Sequence, residues 1–301
     1  MLKHQYISIV CALAFALALP APAQDATRHI WDTAFLAPKT EKTAKTQNSK
    51  PRYTVLTPSV PFKNVDPSTV IGITLWRLRK SKPGDSGERL LEHKGSKPVD
   101  FEPRRVSART VFNKDDKVRI TVETAREGYL YIIDREKYRN GSVGEPYLIF
   151  PMTTIRGGEN HVLPGQIVEL PAQDDDPPYF GMGRSRPDQV GEELTLLLTS
   201  TPLKDIEPKE DRQRLSPEQC AQWEKEARVN AGMAEAAAGQ GIVWSKEEKN
   251  AGQNPALGLS AAAPLPQTLF YSPDAGVQKP TIVNLVLNYA PKGASSKRAQ
   301  R

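Results

Sequence analysis

The strictest constraint on the fold is an alternating stretch near the middle of the chain, Lys117–Thr124. Apolar Val118, Ile120 and Val122 are separated by polar residues, so the two kinds of side chain point to opposite sides of an extended backbone. This period of two predicts a half-buried antiparallel strand whose polar side faces water. The chain must therefore form a sheet with one face directed to a core.

Six further segments have the composition of short strands, and turn residues separate them. Asn140 and Gly141 supply the turn of a long-looped hairpin. Many short strands with turns between them are typical of a sandwich or open barrel. We predict a mainly β protein, an antiparallel β-sandwich that is immunoglobulin-like or related. The further predicted strands are 70–78, 129–134, 146–150, 166–170, 193–200 and 281–289.

One α-helix is predicted in the last third of the chain, over 217–238. Ser216 is a capping residue, a proline follows it at the first helical position, and Gln219 completes a capping box. Cys220 and Trp223 begin an apolar stripe at helical spacing, which indicates that one face packs on the sheet. On that face, Cys220 is expected to be a buried structural thiol.

The first residues have the three parts of a cleavable secretory signal. Lys3 is the basic start, 7–19 is apolar, and small residues precede a cleavage site after Ala23. The apolar run is shorter than the roughly 20 residues that a membrane-spanning helix needs. We therefore predict export to the periplasm or the extracellular space, with no transmembrane span after cleavage. Cys11 leaves with the signal, so Cys220 is alone and an internal disulfide is excluded.

The composition of the chain indicates its division into segments and argues against nucleic acid as a partner. The net charge is +6, but 41 basic residues are interspersed with 35 acidic ones. A solvated mixed-charge surface explains this balance better than nucleic-acid binding. The predicted parts are 1–23, the signal peptide; 24–66, a flexible leader; 67–204, the β-sandwich module; 205–245, a linker and amphipathic helix; 246–291, an extension with a closing strand; and 292–301, a basic tail.

No catalytic or metal-binding motif is found. The sequence lacks the G-x-S-x-G setting of a serine hydrolase. Its mature histidines, His29, His93 and His161, lack the close spacing of zinc motifs. The acidic run 174–176 lacks the alternating ligands and central glycine of a calcium-binding hand, so a solvated loop is favoured. We expect no enzyme activity, no cofactor and no metal.

Aromatic residues at strand and loop positions suggest an alternative role. Trp76, Tyr129, Tyr131, Tyr179 and Phe180 would form a platform for a glycan or a partner peptide if they were exposed in a line. Aromatic residues in strands are more often core or cross-strand partners. The exposure of Trp76 distinguishes the two.

Seven motifs together resemble a known module. They are I-T-L-W-R-L-R at 73–79, G-Y-L-Y-I-I-D-R-E at 128–136, P-Y-L-I-F-P at 146–151, R-G-G-E-N at 156–160, P-G-Q-I-V-E-L-P at 164–171, P-P-Y-F at 177–180 and L-T-L-L-L-T at 194–199. The combination resembles the bacterial domain of unknown function 4384, over roughly 70–204. The resemblance implies a β-sandwich-like module of exported or envelope-associated bacterial proteins. No activity comes with it.

We therefore expect a non-enzymatic exported module that binds or scaffolds another envelope or secreted protein. A carbohydrate-binding module for cell-wall or extracellular glycan is the alternative, and an unrecognised hydrolase, with His161 near a carboxylate and an exposed serine or Cys220 in one cleft, is less favoured. Loops gathered at one end of a sandwich commonly carry recognition. The candidate loops are 134–144, 156–160 and 173–179, and the candidate binding residues are Asp134, Arg135, Arg156, Asn160, Gln173, Asp176 and Tyr179.

Overall fold

The computed structural model describes residues 69–93, 98–229, 232–235, 239–254, 257, 259, 263–271 and 279–291. The predicted signal, leader and basic tail lie outside these residues, as does His29. Strands β1 to β8 are Ile71–Lys80, Leu90–Glu92, Val99–Val106, Val111–Phe112, Lys117–Thr124, Gly128–Tyr138, Tyr147–Phe150 and His161–Val162. Strands β9 to β16 are Val168–Leu170, Phe180–Gly181, Gln189–Thr199, Gln213–Arg214, Arg228–Val229, Gly232–Glu235, Thr268–Tyr271 and Thr281–Tyr289. Helices α1 and α2 are Pro217–Glu226 and Lys246–Gln253.

The strands form two sheets. Sheet I has the order β10-β5-β1-β15-β14, with β3 paired to β1, β2 to β3, and β9 to β5. Sheet II has the order β12-β7-β6-β11-β16-β13, with β4 paired to β16 and β8 to β6. The pairings are antiparallel except those of β13 and β4 with β16, which are parallel. The predicted mainly β sandwich is confirmed, and its sheets take strands from both sides of residue 204.

A shared apolar core holds the two sheets together. On β5, Val118, Ile120 and Val122 all point into this core, as the alternation predicts. Alternate side chains of the central strands fill the remainder, because successive residues of a strand face opposite sides. The most deeply buried include Ile71, Ile73, Leu75, Leu130, Ile132, Leu196, Leu198, Val283 and Leu285.

The polar side of β5 does not face water, contrary to the prediction. Arg119, Thr121 and Glu123 are all buried. Arg119 Nη2 lies 3.0 Å from Glu169 Oε2, and its guanidinium lies 5.1 Å from the centre of the Trp244 ring. The reason is tertiary: residues 239–254, which carry Trp244, fold back over the outer face of sheet I. We call these residues the covering segment.

Helix α2 fixes this covering segment. Ser245 and Glu248 form a complete capping box at its start. Glu248 also makes an ion pair with Arg105, and both side chains are buried. Arg105 in turn donates to the carbonyl oxygen of Leu265. The S-x-x-E pattern at the start of α2 is visible in the sequence, but it was not used to predict a helix.

Helix α1 has the predicted start but not the predicted length. The Ser216 hydroxyl accepts a hydrogen bond from the Gln219 amide, 3.3 Å away, and Cys220 is free and buried against the outer face of sheet II. The helix ends at Glu226 instead of running through 217–238. The chain beyond it forms β13 and β14, whose backbone pairs with β16 and β15. Sheet pairing thus outweighs the helix propensity of the alanines.

No helix among the described residues is long and apolar enough to span a membrane. The predicted long-looped hairpin is present between β6 and β7. At its tip Gly141 has a φ of 86°, and its amide donates to the Tyr138 carbonyl oxygen over 3.0 Å. A side chain at this position would be strained, which explains the glycine.

Trp244→Ala should destabilise the fold by about 3–5 kcal/mol, because it leaves a cavity over sheet I and removes the ring that covers Arg119. Urea denaturation measures this loss. Leu257→Ala is the control further along the chain: Leu257 is 50% exposed whereas Trp244 is 1% exposed, so its replacement should change stability by less than about 0.5 kcal/mol. Equal losses in the two variants would contradict the covering role of Trp244.

Candidate functional site

A cleft of about 470 Å³ lies between the two sheets, beside β10 at one edge of sheet I and the residues that precede β12 in sheet II. Its volume falls within the roughly 300–1,000 Å³ of small-molecule pockets. Its walls are mainly apolar. They include Val118, Ile120, Ile149, Met152, Ile155, Phe180, Met182, Leu194 and Leu287.

Two carboxylates stand in this cleft because the inward rows of two strands continue into it. On β6, Leu130 and Ile132 point into the core, and Asp134 takes the next inward position. On β11, Leu194 points into the core, and Glu192 takes the next inward position. Asp134 lies directly opposite Leu194 in the β6–β11 ladder. We call Asp134 and Glu192 the carboxylate pair.

Burial and charge repulsion raise the pKa of both carboxyl groups. Burial raises the pKa of Asp134 to about 6, and nearby Arg212 opposes this shift. Burial, followed by the charge of Asp134, raises the pKa of Glu192 to about 8. Asp134 Oδ1 and Glu192 Oε2 are buried, with no hydrogen-bond partner among the described residues. At neutral pH the pair therefore retains a proton and presents one negative charge.

The other oxygen of Glu192 is well held. The Tyr289 hydroxyl donates to Glu192 Oε1 over 2.7 Å, and Gln189 Nε2 donates to the same oxygen over 2.8 Å. Burial and the Glu192 carboxylate raise the pKa of Tyr289, so this hydroxyl stays protonated as a donor. These contacts fix the side chain of Glu192 and leave Oε2 as the oxygen that can hold the retained proton or accept from a ligand.

Three of the predicted binding residues line this cleft: Asp134, Asp176 and Tyr179. Asp134 lies within strand β6 and not in a loop. The Tyr179 hydroxyl donates to Glu92 Oε1 over 2.6 Å, which orients the ring at the cleft. Lys117 Nζ lies 3.5 Å from the centre of that ring. Sequence reasoning thus located part of the cleft lining on both sheets.

Two predicted residues contact other parts of the structure around β6. Arg135 points to the opposite face, where its Nη2 lies 3.0 Å from Glu224 Oε1 of α1. Asn160 Nδ2 donates to the Leu130 carbonyl oxygen over 3.1 Å, near the start of β6. The hairpin tip follows the far end of β6, about 25 Å away at about 3.3 Å per residue. The three predicted loops therefore do not gather at one end.

The remaining two predicted residues join loops to the scaffold. Gln173 Nε2 donates to Glu169 Oε2 and to the Lys249 carbonyl oxygen, both over 2.9 Å, so it ties its loop to α2. The Arg156 amide donates to Asp175 Oδ1 over 3.1 Å. Loops 156–160 and 173–179 are therefore in contact, and the Asp175 carboxylate accepts the hydrogen bond that joins them.

Among the described residues, His161 and Cys220, the expected parts of a hydrolase, do not lie in one cleft. His161 Nε2 lies 2.8 Å from Glu127 Oε1, but this pair is on the surface at the start of β6. Cys220 is buried beneath α1 on the other side of sheet II. Across the described ranges, no group of three or more His, Cys, Asp or Glu residues is arranged to hold a metal ion.

The predicted aromatic platform is wrong at its centre. Trp76 is 2% exposed, and it packs with Phe101 and Trp244 under the covering segment. Tyr131 is buried beneath α1. Neither Trp76 nor Tyr131 can therefore belong to an exposed line of aromatic side chains.

Comparison of the chain with protein-family models, curated proteins and solved structures finds no match. The resemblance to the domain of unknown function 4384 stays a prediction.

Sequence reasoning missed Glu192 and Tyr289. A signal for both exists, because each continues an inward apolar row by one more step of two residues. Glu192 comes two residues before Leu194 on one row, and Tyr289 comes two residues after Leu287 on the other. A carboxylate that follows a row of core residues marks either the edge of the core or a binding site. The pairing of the strands shows which of the two it is.

Glu192→Gln should reduce the pH dependence of stability. The pKa of Glu192 rises from 4.5 to about 8 on folding, so the folded chain holds this proton more tightly. The free energy of unfolding therefore falls as the pH rises through this window. We expect the variant to be more stable than the wild type at about pH 8.5, by on the order of 1–3 kcal/mol, and to lose this advantage towards about pH 4.

Urea denaturation across this pH range measures the effect. Glu193→Gln is the matched control on the same strand, because residue 193 points to the opposite face. Its curve should follow the wild type. Parallel curves for wild type and Glu192→Gln would show that Glu192 does not titrate as described.

Proposed function

We propose that this protein is a non-enzymatic exported binding module that holds another envelope or secreted protein in the cleft between its two sheets. Apolar walls combined with a few convergent polar groups are the usual composition of a binding site. The carboxylate pair supplies those polar groups. Export to the periplasm or the extracellular space rests on the signal-like segment 1–23, which lies outside the described residues.

The scaffold supports binding because it holds the cleft residues in place before a ligand arrives. Both members of the carboxylate pair lie on central strands of sheet II, whose outer face is covered by α1. The opposite wall belongs to β5, whose outer face is covered by the segment with Trp244. A site on rigid strands loses less conformational entropy on binding than one on loops.

A glycan remains the second candidate ligand. The platform with Trp76 is lost, but the rings of Tyr179 and Tyr289 line the cleft together with the carboxylate pair. Aromatic rings next to polar oxygens offer both apolar contact and hydrogen bonds. The mainly aliphatic walls favour a protein ligand over a sugar, whose hydroxyl groups would find few partners there.

Photo-crosslinking in cells that produce and export the protein tests this proposal. Met152, which lines the cleft, is replaced by p-benzoylphenylalanine. Leu163, which is 45% exposed and outside the cleft lining, is replaced in the control. We expect a discrete protease-sensitive adduct from position 152 and none from position 163.

Other outcomes have defined meanings. The same adduct from both positions, or none from position 152, would contradict the cleft as the binding site. An adduct that survives protease but is shortened by glycan-degrading enzymes would favour the carbohydrate candidate instead.

A further inference from the structure

Two oxygen atoms in the cleft are buried without a hydrogen-bond donor among the described residues: Asp134 Oδ1 and Glu192 Oε2. Buried polar atoms without partners are few in native proteins, and an ion or ligand is a common explanation. Glu192 Oε1 already accepts from Tyr289 and Gln189, so a donor from a ligand would bind at Glu192 Oε2.

The charges around the cleft favour a cation. Asp176 and Asp211 join the carboxylate pair in its lining. Arg212 is the cationic side chain among the described lining residues, and its guanidinium lies over the Tyr147 ring, 4.4 Å from the ring centre. An apolar cleft of negative net charge selects positively charged ligands and attracts them from a distance.

The carboxylates of the cleft suit an organic cation better than a metal ion. Calcium takes six to eight oxygen ligands, and the four carboxylates of the described lining are not gathered into a metal-binding group. The described chain offers no third His, Cys, Asp or Glu in a metal-binding arrangement. Lysine and arginine side chains carry several N–H donors on an apolar stem. Ile149, Met152 and Leu287 provide the apolar wall that such a stem would contact.

We propose that the cleft takes a lysine or arginine side chain from a segment of the partner polypeptide, with apolar residues on either side of it, and that its cation lies between Asp134 and Glu192. This inference rests on the cleft being the binding site proposed above. The cation donates to the two buried oxygens, and the flanking apolar residues contact the walls. Uncharged segments bind less tightly, because they bring no donor to the two oxygens and no positive charge to the negatively charged pair.

Binding of the cation should release a proton. A positive charge lowers the pKa of both carboxyl groups, so the retained proton leaves and affinity increases with pH between about 6 and 8. The charged and titratable groups around the pair are Glu136 on β6, Tyr289 on β16, Asp211 and Arg212 before β12, and Asp176 before β10. Tyr289 keeps its proton in this range, because burial raises its pKa above its usual value.

Isothermal titration calorimetry with three acetylated and amidated peptides tests the inference. The peptides have the sequence Ala-Leu-X-Leu-Ala, where X is lysine, arginine or norleucine. At about pH 8 we expect the lysine or the arginine peptide to bind at least about tenfold more tightly than the norleucine peptide. This preference should shrink below about pH 6, and the heat should depend on the ionisation enthalpy of the buffer.

Variants assign the effect to the cleft. Asp134→Asn combined with Glu192→Gln should give all three peptides similar affinities. Gly181→Leu should weaken all of them, because Gly181 lines the cleft and a Cβ there meets no atom within 4 Å. Gly183→Leu is the matched control: a Cβ also meets no atom within 4 Å, but Gly183 lies outside the cleft lining, so binding should not change.

The failures are distinguishable. If the norleucine peptide binds as tightly as the lysine and arginine peptides, or if no peptide binds, the cation inference is overturned. The crosslink from position 152 tests the proposed function independently of that result. If a charged peptide binds preferentially but Gly181→Leu leaves its affinity unchanged, the cation site lies elsewhere and the inference is likewise overturned.

Discussion

The buried ion pair on the outer side of sheet I is the interaction on which the rest of the structure depends. Arg119 Nη2 lies 3.0 Å from Glu169 Oε2 and donates to the Pro171 carbonyl oxygen over 3.0 Å. A buried guanidinium is tolerated only when it is paired and hydrogen-bonded. The 239–254 segment completes this environment with Trp244, and it thereby holds β5 between two packed layers. The wall of the cleft on β5 is stable because both of its faces are occupied.

The sequence predicts much of the fold because strand periodicity is a local property. Strands β5 and β16 begin and end where the alternation predicts, and β1, β6, β7, β9 and β11 overlap their predicted segments. The environment of the polar row on β5 is not local, since it depends on Trp244, more than a hundred residues away. Helix α1 shows the same limit: its end is set by pairing with strands that come much later. Strand β3 escaped prediction because Pro103 interrupts its pattern.

The candidate site was predictable only in part. Asp134, Asp176 and Tyr179 were selected as members of loops at one end of a sandwich, and they do line one cleft. Glu192 and Tyr289 were missed because each lies at the end of an apolar row, where a polar residue usually marks the edge of a core. Their proximity arises from the register of β6, β11 and β16, which the sequence alone does not specify.

The position of β16 determines when the fold can be completed. Val283, Leu285 and Leu287 place this strand inside sheet II, between β11 and β13, so the core cannot close before the chain is complete to about residue 289. Pairings between distant segments form slowly, because a long loop must close first. A polypeptide that emerges N-terminus first therefore stays open until late in its synthesis. Leu287 and Tyr289 also line the cleft, so the cleft forms only when this last strand has joined sheet II.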